Sequence, residues 1–220
     1  MWKAIKKIFN WLLDVIYPPF CLRCGRMGEY VCERCYSHLD FTLADNLVPL
    51  LFAAGEPVYV QDIRALLVYD PLVKKILHHY KYLGVRDLSS MLAYWLYQFG
   101  HFEADVITFI PIHQKRFRER GYNQSLLIAK ELSRLSGIPC QQLLRRSVHR
   151  QKQALSKDKA ERLQKTKNIF TPVASPLDRE CRILLVDDVV TSGATLNEAA
   201  RVLHAQGFNH ISALALAHGD

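Results

Sequence analysis

The stretch Arg182-Ile-Leu-Leu-Val-Asp-Asp-Val-Val-Thr-Ser-Gly-Ala-Thr195 decides how the rest of the chain is read. Its apolar residues, Ile183 to Val186, form the short continuous run expected of a parallel strand buried on both faces. Asp187 and Asp188 arrive as that run ends, which places them at the carboxyl edge of a sheet, where open α/β sheets bind ligands. Val190, Thr191, Ser192, Gly193, Ala194 and Thr195 then give a tight, hydroxyl-rich turn, and Leu196 to Leu203 continues as a helix. Free N–H groups at a helix N-terminus favour an anion.

Adjacent carboxylates repel a bare phosphate, so a ligand that suits both halves carries neutral hydroxyls beside its anionic group. Ribose 5-phosphate has that form. A Walker loop is excluded because no Gly-Lys-Ser/Thr follows, and no G-x-G-x-x-G follows a candidate strand. An ordinary strand-to-helix connection capped by an acid accounts for one Asp, but not for the pair together with Thr, Ser and Gly.

At 220 residues, half of them hydrophobic, the chain holds one α/β domain and a small appendage. A net charge of +8 and a pI near 9.2 fit an anionic partner such as a nucleotide, pyrophosphate, nucleic acid or acidic lipid. Residues 1–17 read as an amphipathic helix, with Trp2, Ile5, Phe9, Leu12, Leu13 and Ile16 on one face. Docking on the protein body and contact with a membrane surface are both open to it. Asn10 and Asp14 interrupt the apolar run and no small-residue cleavage site follows, which argues against an export signal. No run approaches the roughly 20 apolar residues of a membrane span, so a cytoplasmic location is expected.

Cys21-Leu-Arg-Cys24 and Cys32-Glu-Arg-Cys35 are paired CxxC turns able to converge on Zn²⁺, with disulfides as the competing reading. Four protein ligands leave no open position for catalysis, so the zinc would be structural. Cys140 and Cys181 lie in apolar surroundings and read as core residues.

Between finger and signature, Leu39 to Gly55 reads as an irregular connection, and Ile63 to Tyr69 as a strand. Asp70 and Pro71 open a helix to Leu83, with Leu72, Val73, Ile76, Leu77 and Tyr80 inward and Lys74, Lys75, His78 and His79 solvated. A second helix over Asp87 to Phe99 precedes a strand over Asp105 to Pro111. A basic loop with Lys115, Arg116, Arg118 and Arg120 follows, its density of charge pointing to a collective anion contact. The next helix is capped by Asn123 and ended by Gly137. Residues 145–167 turn polar and cationic, and Ile211 to Ala217 forms a last strand. The chain ends at Asp220, which leaves no length for a C-terminal hood over a nucleobase. If nucleic acid binds, Tyr30, Tyr36, Phe117 and Tyr122 are the stacking candidates.

Ile183 to Thr195 resembles the phosphoribosyl pyrophosphate (PRPP) signature of type I phosphoribosyltransferases. The chain as a whole resembles the ComF family of that superfamily, in its four-cysteine N-terminus, in Arg120-Gly-Tyr-Asn-Gln-Ser125, and in Gln153-x-Leu155, Arg162 and Asn168-Ile-Phe170. The resemblance implies a Rossmann-like α/β fold: a mainly parallel sheet flanked by helices, behind a small N-terminal zinc-binding finger. Residues 1–17 would be the helix, 18–55 the finger and linker, and 56–220 the phosphoribosyltransferase-like domain, with a flexible loop over about 147–168. By the same resemblance, Asp187 and Asp188 act at the ribose and Val190 to Thr195 hold its phosphate. Ile112, His113 and Lys115 face pyrophosphate, Lys81 lies near a helix end shared by the family, and Mg²⁺ accompanies PRPP. The implied role is natural transformation and handling of imported single-stranded DNA, with a DNA-translocating helicase or other competence proteins as partners. A phosphoribosyltransferase of nucleotide metabolism and a PRPP-sensing module are the alternatives, and no motif names an acceptor.

Overall fold

The computed structural model describes residues 18–41, 43–53, 57–146 and 168–219. The helix expected over 1–17 and all but the last residue of the loop expected over 147–168 lie outside these residues. The main sheet contains β1 (Asp62–Val68), β2 (Val106–Phe109), β5 (Ile183–Val190) and β6 (Ile211–His218), all parallel, in the order β1-β6-β5-β2. A separate antiparallel pair joins β3 (Leu144–Arg146) to β4 (Phe170–Pro172). The helices are α1 (Glu33–Tyr36), α2 (Val48–Leu51), α3 (Pro71–Tyr82), α4 (Leu88–Phe99), α5 (Gln114–Arg120), α6 (Gln124–Ser136) and α7 (Ala194–His204).

Local chemistry sets the helix ends. Asp70 accepts the Val73 N–H at 2.6 Å, and Pro71 fills the first helical position of α3, where no N–H is needed. Asn123 accepts from Leu126 at 3.4 Å to begin α6, and Gly137 at φ 76° ends it. The stretch expected to be a basic loop is helical over α5: His113 Nδ1 accepts the Lys115 N–H at 3.1 Å and Gly121 stops the turn at φ 75°. The signature strand does not stop at its acids. β6 is as long as β5 and pairs with it through Asp187↔Ala215 to Val190↔His218, so both carboxylates project from a continuous strand.

Side-chain alternation divides the core between the faces of the sheet. Leu184, Val186, Leu214 and Leu216 pack with α3, α4 and α6, whereas Ile183, Leu185, Ala213 and Ala215 pack with α7, Leu144 and Phe170. Beyond β2, Ile107 pairs in parallel with Cys140, its N–H bonding the Pro139 carbonyl at 2.9 Å. The chain therefore steps outward from β2 through α6, while β5 steps the other way through α7 to β6. Neighbouring strands whose connections diverge open a crevice at their carboxyl ends. β2 pairs with β5 only as far as Phe109↔Val186, so the crevice opens directly beside Asp187.

The cysteine segment is built into this core. Tyr36, Phe41, Trp95 and Phe99 form one aromatic cluster, with centroids 5.0 Å apart for Tyr36–Phe41, 5.4 Å for Phe41–Trp95 and 4.8 Å for Phe41–Phe99. The connection that follows is more ordered than its composition indicates. Ala44 and Ala65 form an antiparallel bridge, the Leu47 N–H bonds the Ile63 carbonyl at 2.8 Å, and α2 leads to Phe52. Cys140 and Cys181 sit half-buried at the rim of the core. Among the described residues no helix is long and apolar enough to cross a membrane.

Candidate functional site

The acid pair is held from the flanking helices. Ser125, in the first turn of α6, donates to Asp187 Oδ1 at 2.9 Å, and the Asp188 N–H donates to the same oxygen at 2.8 Å. Lys81, in the last turn of α3, places Nζ 3.0 Å from Asp188 Oδ1. Tyr80 fixes α3 against α6: its hydroxyl, kept protonated by burial, donates to the Gln124 carbonyl at 2.8 Å, and the Tyr122 hydroxyl donates to the Tyr80 carbonyl.

Lys81 thus pairs with Asp188 and acts on Asp187 through its charge alone. Burial, and then the neighbouring Asp188, push the Asp187 carboxyl up to about 7, against the opposing bonds from Asp188 and Ser125 and the charge of Lys81. A ligand that brings hydroxyl donors or a cation relieves this repulsion, so the pair suits both a ribose diol and Mg²⁺. Because the folded-state pKa lies above the ordinary 3.8, the proton that the folded chain retains contributes stability fully below that value, and the contribution is lost as pH rises through about 7. Unfolding by denaturant should therefore show wild-type stability falling relative to Asp187→Asn from pH about 4 to about 7, then levelling. A difference that stays flat across that window sinks this account.

The turn after β5 is closely packed underneath. Gly193 has φ 67°, and a Cβ there would lie 2.8 Å from Phe52 Cζ and 3.0 Å from Leu51 Cδ1, so only glycine fits the turn. It caps α7 without a side chain, leaving the first-turn N–H groups to be satisfied from outside the helix. Deeper in α7, Glu198 accepts the Asn168 N–H at 2.6 Å and holds Arg201 at 2.7 Å, fastening the Asn168-Ile-Phe170 segment to the signature helix.

Opposite the acids, Ile112 and His113 lie half-buried where β2 gives way to α5. Lys115 is exposed, 4.0 Å from Glu119, and Arg116 and Arg118 are exposed on the same short helix. Arg120 turns away toward α6, donating to Gln124 Oε1 at 3.1 Å. Arg146, on β3, is a residue that the sequence did not single out. Its guanidinium lies 5.6 Å from the Phe170 ring centroid, and its pKa is lowered by burial and by the charge of Arg116, while Asp187 opposes the shift. Arg146 and Arg116 thus form a positive lobe within electrostatic reach of Asp187. Of the stacking candidates, Tyr122 is buried at 5% exposure, Tyr36 belongs to the aromatic cluster, and Tyr30 packs on the core; Phe117 alone among them stands exposed, at 49%.

The four cysteine Sγ atoms, Cys21, Cys24, Cys32 and Cys35, lie within 4.8 Å of one another. Burial raises the Cys21 thiol, but the N–H groups of Cys24, Cys32 and Arg23 outweigh it and bring the group down to about 6. Burial and the other three sulfurs push Cys35 up to about 12. Four sulfurs this close could hold a metal ion, whose charge would let all of them ionise.

A divergent crevice in a parallel sheet, an acid pair on its central strand and an uncapped turn behind it define a phosphoribosyltransferase-type domain, and residues 123–219 match the family model described as phosphoribosyl transferase domain. Similarity extends well beyond that domain. The chain is 30% identical over 203 residues to Competence protein F of Haemophilus influenzae, covering 90% of this chain and 84% of that one. It belongs to the ComF family. Competence protein ComFC of Bacillus subtilis is 34% identical over 152 residues, covering 66% of this chain and 58% of its own. The DNA utilization protein YhgH of Escherichia coli is 27% identical over 202 residues, covering 85% and 83%.

Proposed function

We propose that the crevice between β2 and β5 binds PRPP or ribose 5-phosphate together with Mg²⁺. The observation that carries this reading is the acid pair, Asp188 on Lys81 and Asp187 on Ser125, one turn before a helix N-terminus with no side-chain cap. The first-turn N–H groups of α7 and the Thr191 and Thr195 hydroxyls receive the 5-phosphate, and Asp187 and Asp188 accept from the ribose hydroxyls. Ser125 and Lys81 keep the carboxylates in place. Ile112 and His113, with the charges of Lys115, Arg116 and Arg146, face the pyrophosphate. Mg²⁺ bound with the ligand would supply charge neutralisation for the pyrophosphate, and Asp187 and Asp188 are the carboxylates that would hold it. Negative charge fixed beside the ring then favours the positive character that grows at C1.

In the cell we assign the chain to the use of imported single-stranded DNA, on the names of its relatives and the +8 net charge. The cysteine cluster holds structural zinc. Calorimetric titration with PRPP and Mg²⁺ tests the ligand reading: saturable heat with matching thermal stabilisation supports it, and neither signal at millimolar ligand refutes it.

A further inference from the structure

Bordering the crevice is a surface that the acid pair does not use. Tyr82 closes α3 directly after Lys81 and is 62% exposed, with Leu83 beside it at 59%. The Arg120 guanidinium carbon lies 4.9 Å from the Tyr82 ring centroid, and Nη2 donates to the Tyr82 hydroxyl at 3.2 Å. Its Nη1 holds Gln124, which is fully buried and immediately precedes Ser125, the donor to Asp187. The ring and guanidinium are therefore tied to the site from both ends, one through Lys81 and Asp188, the other through Gln124 and Ser125. The His78 ring centroid stands 5.2 Å from that of Tyr82, and Phe117 is exposed one turn before Arg120.

We infer that Tyr82 and Arg120 form a stacking platform for a nucleobase of single-stranded DNA at the mouth of the crevice. The Tyr82 ring keeps 62% exposure although Arg120 lies over it, and that contact already fixes its rotamer, so stacking a base removes little further freedom. The pair presents a flat face with a positive charge, the combination that takes up bases of any sequence while drawing in the phosphates between them. Arg116 and Arg118, exposed on the same short helix, continue that charge along a strand lying across the surface. The platform rests on the DNA reading above and not on the sugar-phosphate one.

Fluorescence anisotropy of the full chain with a labelled oligothymidylate, and with an abasic oligodeoxynucleotide of equal length, separates stacking from charge. Tyr82→Ala should weaken oligothymidylate binding about tenfold or more and leave the abasic strand unaffected, while Tyr82→Phe retains affinity within about twofold. Arg120→Gln should weaken both strands and reduce the salt dependence by about one phosphate contact. Unchanged oligothymidylate affinity in Tyr82→Ala overturns the platform, as does an equal loss on both strands. A wild-type chain that binds neither strand overturns the platform together with the DNA reading. Calorimetry with PRPP on the same wild-type sample then shows separately whether the sugar-phosphate reading stands.

Discussion

With Asp187 and Asp188 both replaced by asparagine, titration with PRPP and Mg²⁺ should give no heat, while the chain still unfolds cooperatively. Asparagine preserves shape and one carbonyl acceptor, so the Ser125 hydroxyl and the Asp188 N–H keep a partner at the Asp187 position. What disappears is charge. Two opposing effects bear on stability: the repulsion that lifts the Asp187 carboxyl is removed, and Lys81 loses its ion pair. The Lys81 side chain retains 20% exposure, so its loss is softened by water, and the net change should stay within about 2 kcal/mol. The double variant is the informative one. Asp188→Asn alone leaves the Asp187 carboxylate in place to accept from the ribose, so it tests only half of the pair. Full retention of binding in the double variant would falsify the site.

Removing metal from the cysteine cluster should have the larger effect on stability. Cys21, Cys32 and Cys35 belong to the same buried core as α4, and Tyr36, the last residue of α1, lies tilted against Phe41 and Trp95. If the cluster holds zinc as proposed, its loss would leave sulfurs crowded within 4.8 Å of one another and the turns that carry them without an organising centre. Releasing an aromatic contact of the Trp95 kind costs about 3–5 kcal/mol, which for a chain of this size lowers the unfolding midpoint by about 6–20 °C. Treatment with a strong chelator, or Cys35→Ser, should produce that shift. It should also move the emission of Trp95, which is 3% exposed, to longer wavelength. A chelated protein with an unaltered midpoint and emission would show that the segment folds on its own packing.

The central strand, the turn and the helix behind it were legible because each rests on local chemistry. A continuous apolar run, a glycine at positive φ and a cap residue depend on a few neighbours in sequence, as do Asp70, Asn123 and Gly137. The paired CxxC turns were legible for the same reason. What escaped depends on distant partners. Nothing within residues 187–190 says that the strand continues; β6 decides it by being equally long. The Leu-Arg-Arg of β3 is too short for any period and exists because Phe170-Thr-Pro172 lies against it, which is how Arg146 comes to lie over the Phe170 ring. Tyr122 reads as an aromatic in a basic motif and proves buried, because the Tyr80 carbonyl, 42 positions earlier in the chain, takes its hydroxyl. Tyr82 is the converse case: its neighbours on α3 give no sign of Arg120 folding over it. Lys81 was marked only through resemblance, and its 3.0 Å contact with Asp188 supplies a physical reason for a cation at that helix end.

The bridge from Ala44 to Ala65 covers part of an edge of the sheet. β1 is the outermost strand of the sheet on its side, and an outermost strand offers unused N–H and C=O groups to any extended segment that drifts past. Here the preceding polypeptide lies along that rim, Ala44 and Leu47 occupying groups of Ala65 and Ile63. A version cut to begin at residue 57 would lose this cover together with Leu51 and Phe52 beneath the Gly193 turn, leaving the β1 rim open to an added strand.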